Sequence, residues 1–145
     1  MRQMLCGLES AVFARVLALT GILGATAAVA DSNWPRFRGP NGGGQSAVGA
    51  KLPIEWTEAS SAWSAQLPGQ GNSSPVIWGT RVFVTSAVDR GEQRVLMCFD
   101  INSGKQLWRR DVVSVTHKRH KMNSYATSSP AVDADGVYVL WGQPE

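Results

Sequence analysis

The strongest constraint in this sequence is an internal repeat. Ser73-Ser74-Pro75-Val76-Ile77-Trp78-Gly79-Thr80-Arg81-Val82-Phe83-Val84 aligns without a gap on Ser128-Ser129-Pro130-Ala131-Val132-Asp133-Ala134-Asp135-Gly136-Val137-Tyr138-Val139, 55 residues further on. Ser-Ser-Pro is identical in both copies. Val76/Ala131 and Ile77/Val132 match in character, as do Val82/Val137, Phe83/Tyr138 and Val84/Val139. A chain that repeats in this way builds one supersecondary unit several times and buries its core by stacking neighbours. Six tryptophans, 15 glycines and 7 prolines in 145 residues suit short strands and many turns better than long helices.

Each copy reads as two short strands joined by a tight turn, Trp78-Gly79-Thr80-Arg81 in the first and Asp133-Ala134-Asp135-Gly136 in the second. The proline sits at the strand entrance, where its missing N–H costs the ladder nothing. In the first copy a third strand follows at 94–100. The turn Ile101-Asn102-Ser103-Gly104-Lys105 then leads to a fourth strand at 106–112. Asn and Gly between apolar runs are a hairpin signal, because both tolerate positive φ. Residues 73–112 therefore predict four strands, the unit of a propeller blade.

The run Cys98-Phe99-Asp100-Ile101-Asn102-Ser103-Gly104-Lys105-Gln106-Leu107-Trp108 resembles the tryptophan docking motif of PQQ-type (quinoprotein-like) β-propellers. Cys98 stands where Ala is usual in that motif, and Ser103 where Thr is usual. The opening Asn33-Trp34-Pro35-Arg36-Phe37-Arg38-Gly39-Pro40-Asn41-Gly42 also resembles the start of exported PQQ-like repeat proteins. The resemblance spans most of residues 33–142. It implies an all-β fold, a partial β-propeller of four-stranded antiparallel blades, with about one full blade and parts of two others. It marks Asp100, Gly104 and Trp108 as blade-docking residues. In that family the tryptophan packs between neighbouring blades, and the glycine turn lets the hairpin close. Ser61-Ala62-Trp63-Ser64 reads like the outer strand of a preceding blade, so residues 60–67 are expected to form a strand that closes a ring. A propeller has at least four blades, so roughly 115 residues after residue 30 predict a truncated array, a piece of a longer protein. The rival expectation is a small domain that dimerises or borrows strands.

Residues 1–30 have a different character. Arg2 and Arg15 precede an uncharged apolar run from Val16 to Ala30, and Ala28-Val29-Ala30 supplies a small-x-small cleavage site before Asp31. This is the pattern of a secretory signal peptide, and the run is shorter than the ~20 residues that cross a bilayer comfortably. The other reading is an uncleaved membrane anchor. Cys6 lies ahead of the apolar run, so it is misplaced for a lipoprotein's acylated cysteine. The expected organisation is a signal peptide at 1–30, a lead-in segment at 31–59 and propeller blades from 60 to 145. The mature product is expected in the periplasm or outside the cell, with no membrane span. Without Cys6, Cys98 has no disulfide partner in the chain and reads as a small buried apolar residue. A net charge of +3, well dispersed, gives no case for nucleic acid.

The candidate chemistry lies between the two copies. Arg109-Arg110 is followed by His117-Lys118-Arg119-His120-Lys121, in the connection from the last strand of one unit to the first of the next. Connections between blades gather at the propeller's faces, so His117, Lys118, Arg119, His120 and Lys121 form a candidate loop for an anionic ligand or partner. The plainer reading is a solvated loop. The His-x-x-His spacing invites a metal, yet no Cys, Asp or Glu adjoins the pair, so no metal site is expected. Asp133-Ala134-Asp135-Gly136 has the opening of a calcium loop but runs straight into a strand, so it is expected to be a hairpin turn. The glycine-rich run 41–46 lacks the lysine of a phosphate loop and is expected to be a flexible loop. No Gly-x-Ser-x-Gly elbow is present, and the paired serines recur with the unit, which suits hydroxyls that bond nearby backbone.

True quinoprotein dehydrogenases carry a calcium ion, an Asp base and a stacking Trp, and no residue here can be matched to those positions. Other members of the wider fold bind no quinone and act as scaffolds, among them outer-membrane assembly lipoproteins of the BamB type. The resemblance thus implies a non-enzymatic exported scaffold that binds a protein partner or small ligand through a propeller face, with no cofactor. The alternative is the N-terminal part of a PQQ-dependent oxidoreductase, and PQQ with calcium enters only there. A third reading is a gene fragment without function.

Overall fold

Val82, Phe83 and Val84 follow one another directly, as do Val95, Leu96, Met97, Cys98 and Phe99. Strand side chains alternate between faces, so runs of this kind place apolar groups on both sides of a sheet, and neither side can be left wet. The structure, a computed structural model, describes residues 33–46 and 53–142. The signal sequence expected over 1–30 lies outside the described residues. Strands β1 (Val76–Trp78), β2 (Arg81–Val88), β3 (Gln93–Asp100) and β4 (Gln106–Val113) form one four-stranded antiparallel sheet in chain order. Strands β5 (Ala131–Val132) and β6 (Val137–Tyr138) form a separate antiparallel hairpin. The described residues are otherwise turns and extended chain, with single 3-10 turns at Glu58–Ser60 and Asp89–Gly91, and they close no barrel. The four strands expected over 73–112 are present, and the second copy supplies the two expected of it.

Both faces of the sheet are buried. The first carries Val82, Val84, Val95, Met97 and Phe99, with Trp63, Ala65 and Ile77 packed against them. The second carries Val76, Phe83, Leu96 and Cys98. Val132, Val137, Val139 and Trp141 of the second copy cover it. Val76, Val95, Met97 and Cys98 are wholly inaccessible. Val76, Val95 and Met97 each contribute about 1.5–3 kcal/mol through removal from water. Cys98 is a free, buried thiol, as its apolar surroundings in the sequence suggest.

A β-bulge decides where Trp108 goes. Cys98 pairs with Trp108 but Phe99 pairs with Gln106, so Leu107 is the extra residue. One added residue reverses the facing of the strand beyond it. Trp108 thereby shares the second face with Phe83, their ring centroids 5.8 Å apart and tilted by 50°. The rest of β4 is exposed and charged at Arg109, Arg110 and Asp111, which suits an edge strand.

The two copies touch at equivalent positions. The backbone N–H of Ser74 donates to the hydroxyl of Ser129 at 2.8 Å, and the Thr85 hydroxyl donates to the carbonyl of Ser128 at 3.3 Å. Ser73 Oγ accepts from the Thr85 N–H and donates to the Thr85 carbonyl. The hydroxyls of Ser73 and Ser129 therefore bond nearby backbone. Residues 34–35 strap the copies together. Trp34 exchanges two backbone hydrogen bonds with Ile77, and the Pro35 carbonyl accepts from Val132 N–H at 2.8 Å. The following chain turns back on itself, with Gly42 and Gly44 N–H groups donating to the carbonyls of Gly39 and Arg38.

Residues 60–67 form no strand. They run over the first face instead of beside a strand edge, so their backbone meets no ladder. Trp63 fixes them there by donating its indole N–H to the Ile101 carbonyl at 2.6 Å. Its ring lies on Gly104, which has φ +67°, and a Cβ at Gly104 would come within 2.5 Å of that ring. Gly104→Ala therefore combines a disfavoured backbone conformation with a clash, and we expect a loss of about 2–4 kcal/mol, read as a lower denaturant midpoint with an unchanged slope.

Candidate functional site

The β2–β3 connection and the loop 114–130 meet at one end of the sheet. The connection is tight: Asp89 (φ 48°), Arg90 (φ 52°) and Gly91 (φ 102°) are all left-handed. Asp89 and Arg90 each carry a backbone cost of about 1–2 kcal/mol, so the surroundings must hold them. Tyr125 does so from above, since a Cβ at Gly91 would lie within 2.1 Å of its ring.

Arg94 is the anchor underneath. It is only 1 % exposed, although it stands near the start of β3, just ahead of the apolar run 95–99. Its guanidinium donates to the carbonyls of Gly91 and Val115, and it lies 4.6 Å from the centroid of the Tyr125 ring. Burial pulls its pKa down from the ordinary arginine value, with the Tyr125 oxygen acting the other way. Arginine remains charged throughout. One buried cation thus ties both connections to the sheet. Ser114 N–H adds a bond to the Glu92 carbonyl at 2.8 Å, and Asn72 N–H one to the Ala126 carbonyl at 3.1 Å.

The basic residues marked by sequence lie on this loop. His117 is half-buried, edge-on to Tyr125 with centroids 5.1 Å apart, and its carbonyl accepts from the Tyr125 hydroxyl at 2.7 Å. The Arg119 guanidinium lies 5.1 Å from the Tyr125 ring centroid and donates to the Asn123 carbonyl. His120 Nδ1 accepts from the Met122 N–H at 3.3 Å, which leaves its Nε2 as the proton-bearing atom of the neutral ring. Lys118 and Lys121 are exposed. Three open cavities surround Arg119. One of about 470 Å³ adjoins Gly69, Asp89, Gly91 and Tyr125. Another, of about 480 Å³, adjoins His117, Lys118, His120 and Trp141, and the third, of about 590 Å³, adjoins Gln70, Lys121 and Asn123. Among the described residues, no three His, Cys, Asp or Glu side chains gather to hold a metal. Arg109 and Arg110 lie apart on β4, where Arg109 pairs with Asp111 at 2.6 Å across two exposed side chains.

Asp100 at the end of β3, Gly104 in the β3–β4 turn and Trp108 on β4 lie toward the other end of the sheet, with Asp100 roughly 20 Å along β3 from Arg94. Asp100 Oδ1 accepts from the Ser103 hydroxyl (2.8 Å), the Ser103 N–H (2.9 Å) and the Asn102 N–H (3.1 Å). These bonds, led by the Ser103 hydroxyl, lower its pKa. Asp133 does the same in the second copy, accepting from the Asp135 and Gly136 N–H groups, so its loop is a hairpin turn. In the first copy the equivalent turn receives its acceptor from elsewhere: Asn33 Oδ1 takes the Gly79 N–H at 2.7 Å. Sequence reading missed Arg94, Tyr125 and Trp141 at the loop. The signal for Arg94 was a charge at the head of an apolar run that must be buried on both faces. Compared with family models, curated proteins and solved structures, the chain matches none.

Two outcomes are expected. A carboxyl whose folded pKa lies below its ordinary 3.8 stabilises the fold above that value and loses this contribution as pH falls through the folded one. Unfolding midpoints measured downward from pH 6 should therefore drop less steeply below pH 3.8 in Asp100→Asn, which keeps an acceptor but does not titrate. Arg94→Met leaves two carbonyls without their donor, for a loss of about 1–3 kcal/mol. It should also speed trypsin cleavage after Lys118, Arg119 and Lys121.

Proposed function

We propose that this chain is an exported, non-enzymatic binding protein built from PQQ-like propeller blades, in which tryptophans join successive units. The observation that carries this is the seat of Trp63. A tryptophan from an upstream segment donates to Ile101 and covers Gly104, the turn of the run that ends in Trp108. Trp108 lies on the opposite face, packed with Phe83 and the second copy. A unit that receives a tryptophan on one face and offers one on the other can be stacked repeatedly without a new kind of contact. The double-sided burial of β2 and β3 supports the same reading, because a blade inside a ring has a neighbour on each side.

Binding is favoured over catalysis by what gathers at the connecting loops. Lys118, Arg119 and His120 are donors presented at a loop tip, and the residues beneath them are committed to backbone carbonyls. Such a loop recognises charge and shape. Its position between units is where propellers place ligand contacts. Export is supported by the basic start, apolar run and Ala28-Val29-Ala30 site.

Fractionation of cells producing the full chain should place it in the periplasm or medium, with an N-terminus at Asp31. A membrane-bound product that starts earlier overturns export. The purified chain with PQQ and Ca²⁺ should give no dye-linked oxidation of alcohols or sugars above a protein-free blank. Turnover would replace the binding reading with the oxidoreductase one.

A further inference from the structure

The cavity of about 480 Å³ between the basic loop and the end of the second copy is bordered by His117, Lys118, Arg119, His120, Asn123 and Trp141. Among the described residues, no Asp or Glu lines it. Its volume is that of a site for a small organic molecule and is larger than a bare ion needs. Two of its bordering rings hold a polar atom without a partner: the indole N–H of Trp141 and Nδ1 of His117 are both shut from water and bonded to nothing. A buried unpartnered donor is a standing cost, removed when a ligand acceptor reaches it. Indole is a donor only, so the group that satisfies Trp141 must be an acceptor. The guanidinium of Arg119 is held in place by Tyr125 and the Asn123 carbonyl, so little freedom is lost when it meets an anion.

We propose that this cavity binds a small organic oxyanion, a carboxylate or phosphate ester on a flat apolar body. Arg119 and Lys118 supply the charge, Trp141 a directional N–H and a flat wall, and His120 a further donor. Because both nitrogens are closed off in the free protein, the ligand must move loop atoms to reach them. The proposal rests on the binding-protein reading and adds the class of ligand.

The test uses the full chain, phenyl phosphate and benzoate as the two oxyanion probes, inorganic phosphate as the bare ion and benzyl alcohol as the neutral body. Calorimetry measures affinity, and the Trp141 indole N–H resonance reports contact. At least one oxyanion probe is expected to bind saturably and to shift that resonance, with inorganic phosphate weaker by about tenfold and benzyl alcohol silent. Which of the two probes binds more tightly assigns carboxylate or phosphate. Arg119→Gln and Trp141→Phe should each weaken binding by about tenfold, while Arg109→Gln, on β4, leaves it unchanged. Near-UV dichroism confirms that every variant is folded. No saturable binding below about 10 mM to the folded chain overturns the proposal. So does equal weakening by Arg109→Gln, or weakening by Arg119→Gln without Trp141→Phe, which assigns the effect to loop charge outside the cavity. Failure here with no PQQ-dependent turnover leaves the binding-protein reading standing. Turnover alongside oxyanion binding overturns that reading and leaves the cavity assigned.

Discussion

The pairing of β2 with β3 is the constraint on which everything else hangs. Eight residues face eight in unbroken register, and apolar groups emerge on both sides. A sheet that is dry on one face can be closed by a single layer, but this one needs two. The layers come from different places. Trp63 and Ala65 arrive from upstream onto the first face, and the β5–β6 hairpin arrives from downstream onto the second. Neither cover is a large element in itself. Each is held by directed bonds: Trp63 to Ile101, Ser129 to Ser74, and Pro35 to Val132.

The polar end of the sheet follows from the same demand. Arg94 falls within a strand that must be buried, so its charge must be met inside. Two carbonyls and an aromatic face meet it, and all three belong to the connections at that end. The left-handed tip at Asp89 and Arg90 and the basic loop beyond β4 are thereby fastened to one guanidinium. Rigid support beneath and exposed cations above are the combination that lets a loop present charge without losing much entropy on binding.

Much of the fold was legible in the sequence because its signals are local. Turn residues at 79–80, 102–104 and 133–136 bracket apolar runs, and the strands stand between them. The repeat showed which segments share a shape. What was not legible depends on distant partners. Residues 60–67 form no strand among the described residues, because pairing is a property of two segments, and the sequence of one cannot say whether it lies beside an edge or across a face. The facing of Trp108 turns on a bulge at Leu107 that no turn residue announces. At the loop, the cations 117–121 were visible as a cluster. Arg94 and Tyr125, which hold it, are separated from each other by thirty positions of chain and are joined only in space.

The bond from Ser74 to Ser129 joins the same place in two copies of one unit. Spacing between the copies is therefore set by contact at their cores and not by the length of chain that links them. The linking segment is relieved of any duty as a ruler. Its exposed cations at 118–121 can exchange their charges for other chemistry while Val115, Tyr125 and Ala126 keep it fastened to the sheet. In a molecule assembled this way, scaffold and recognition are carried by different residues of one loop, and the exposed tip is the part left free to be rewritten.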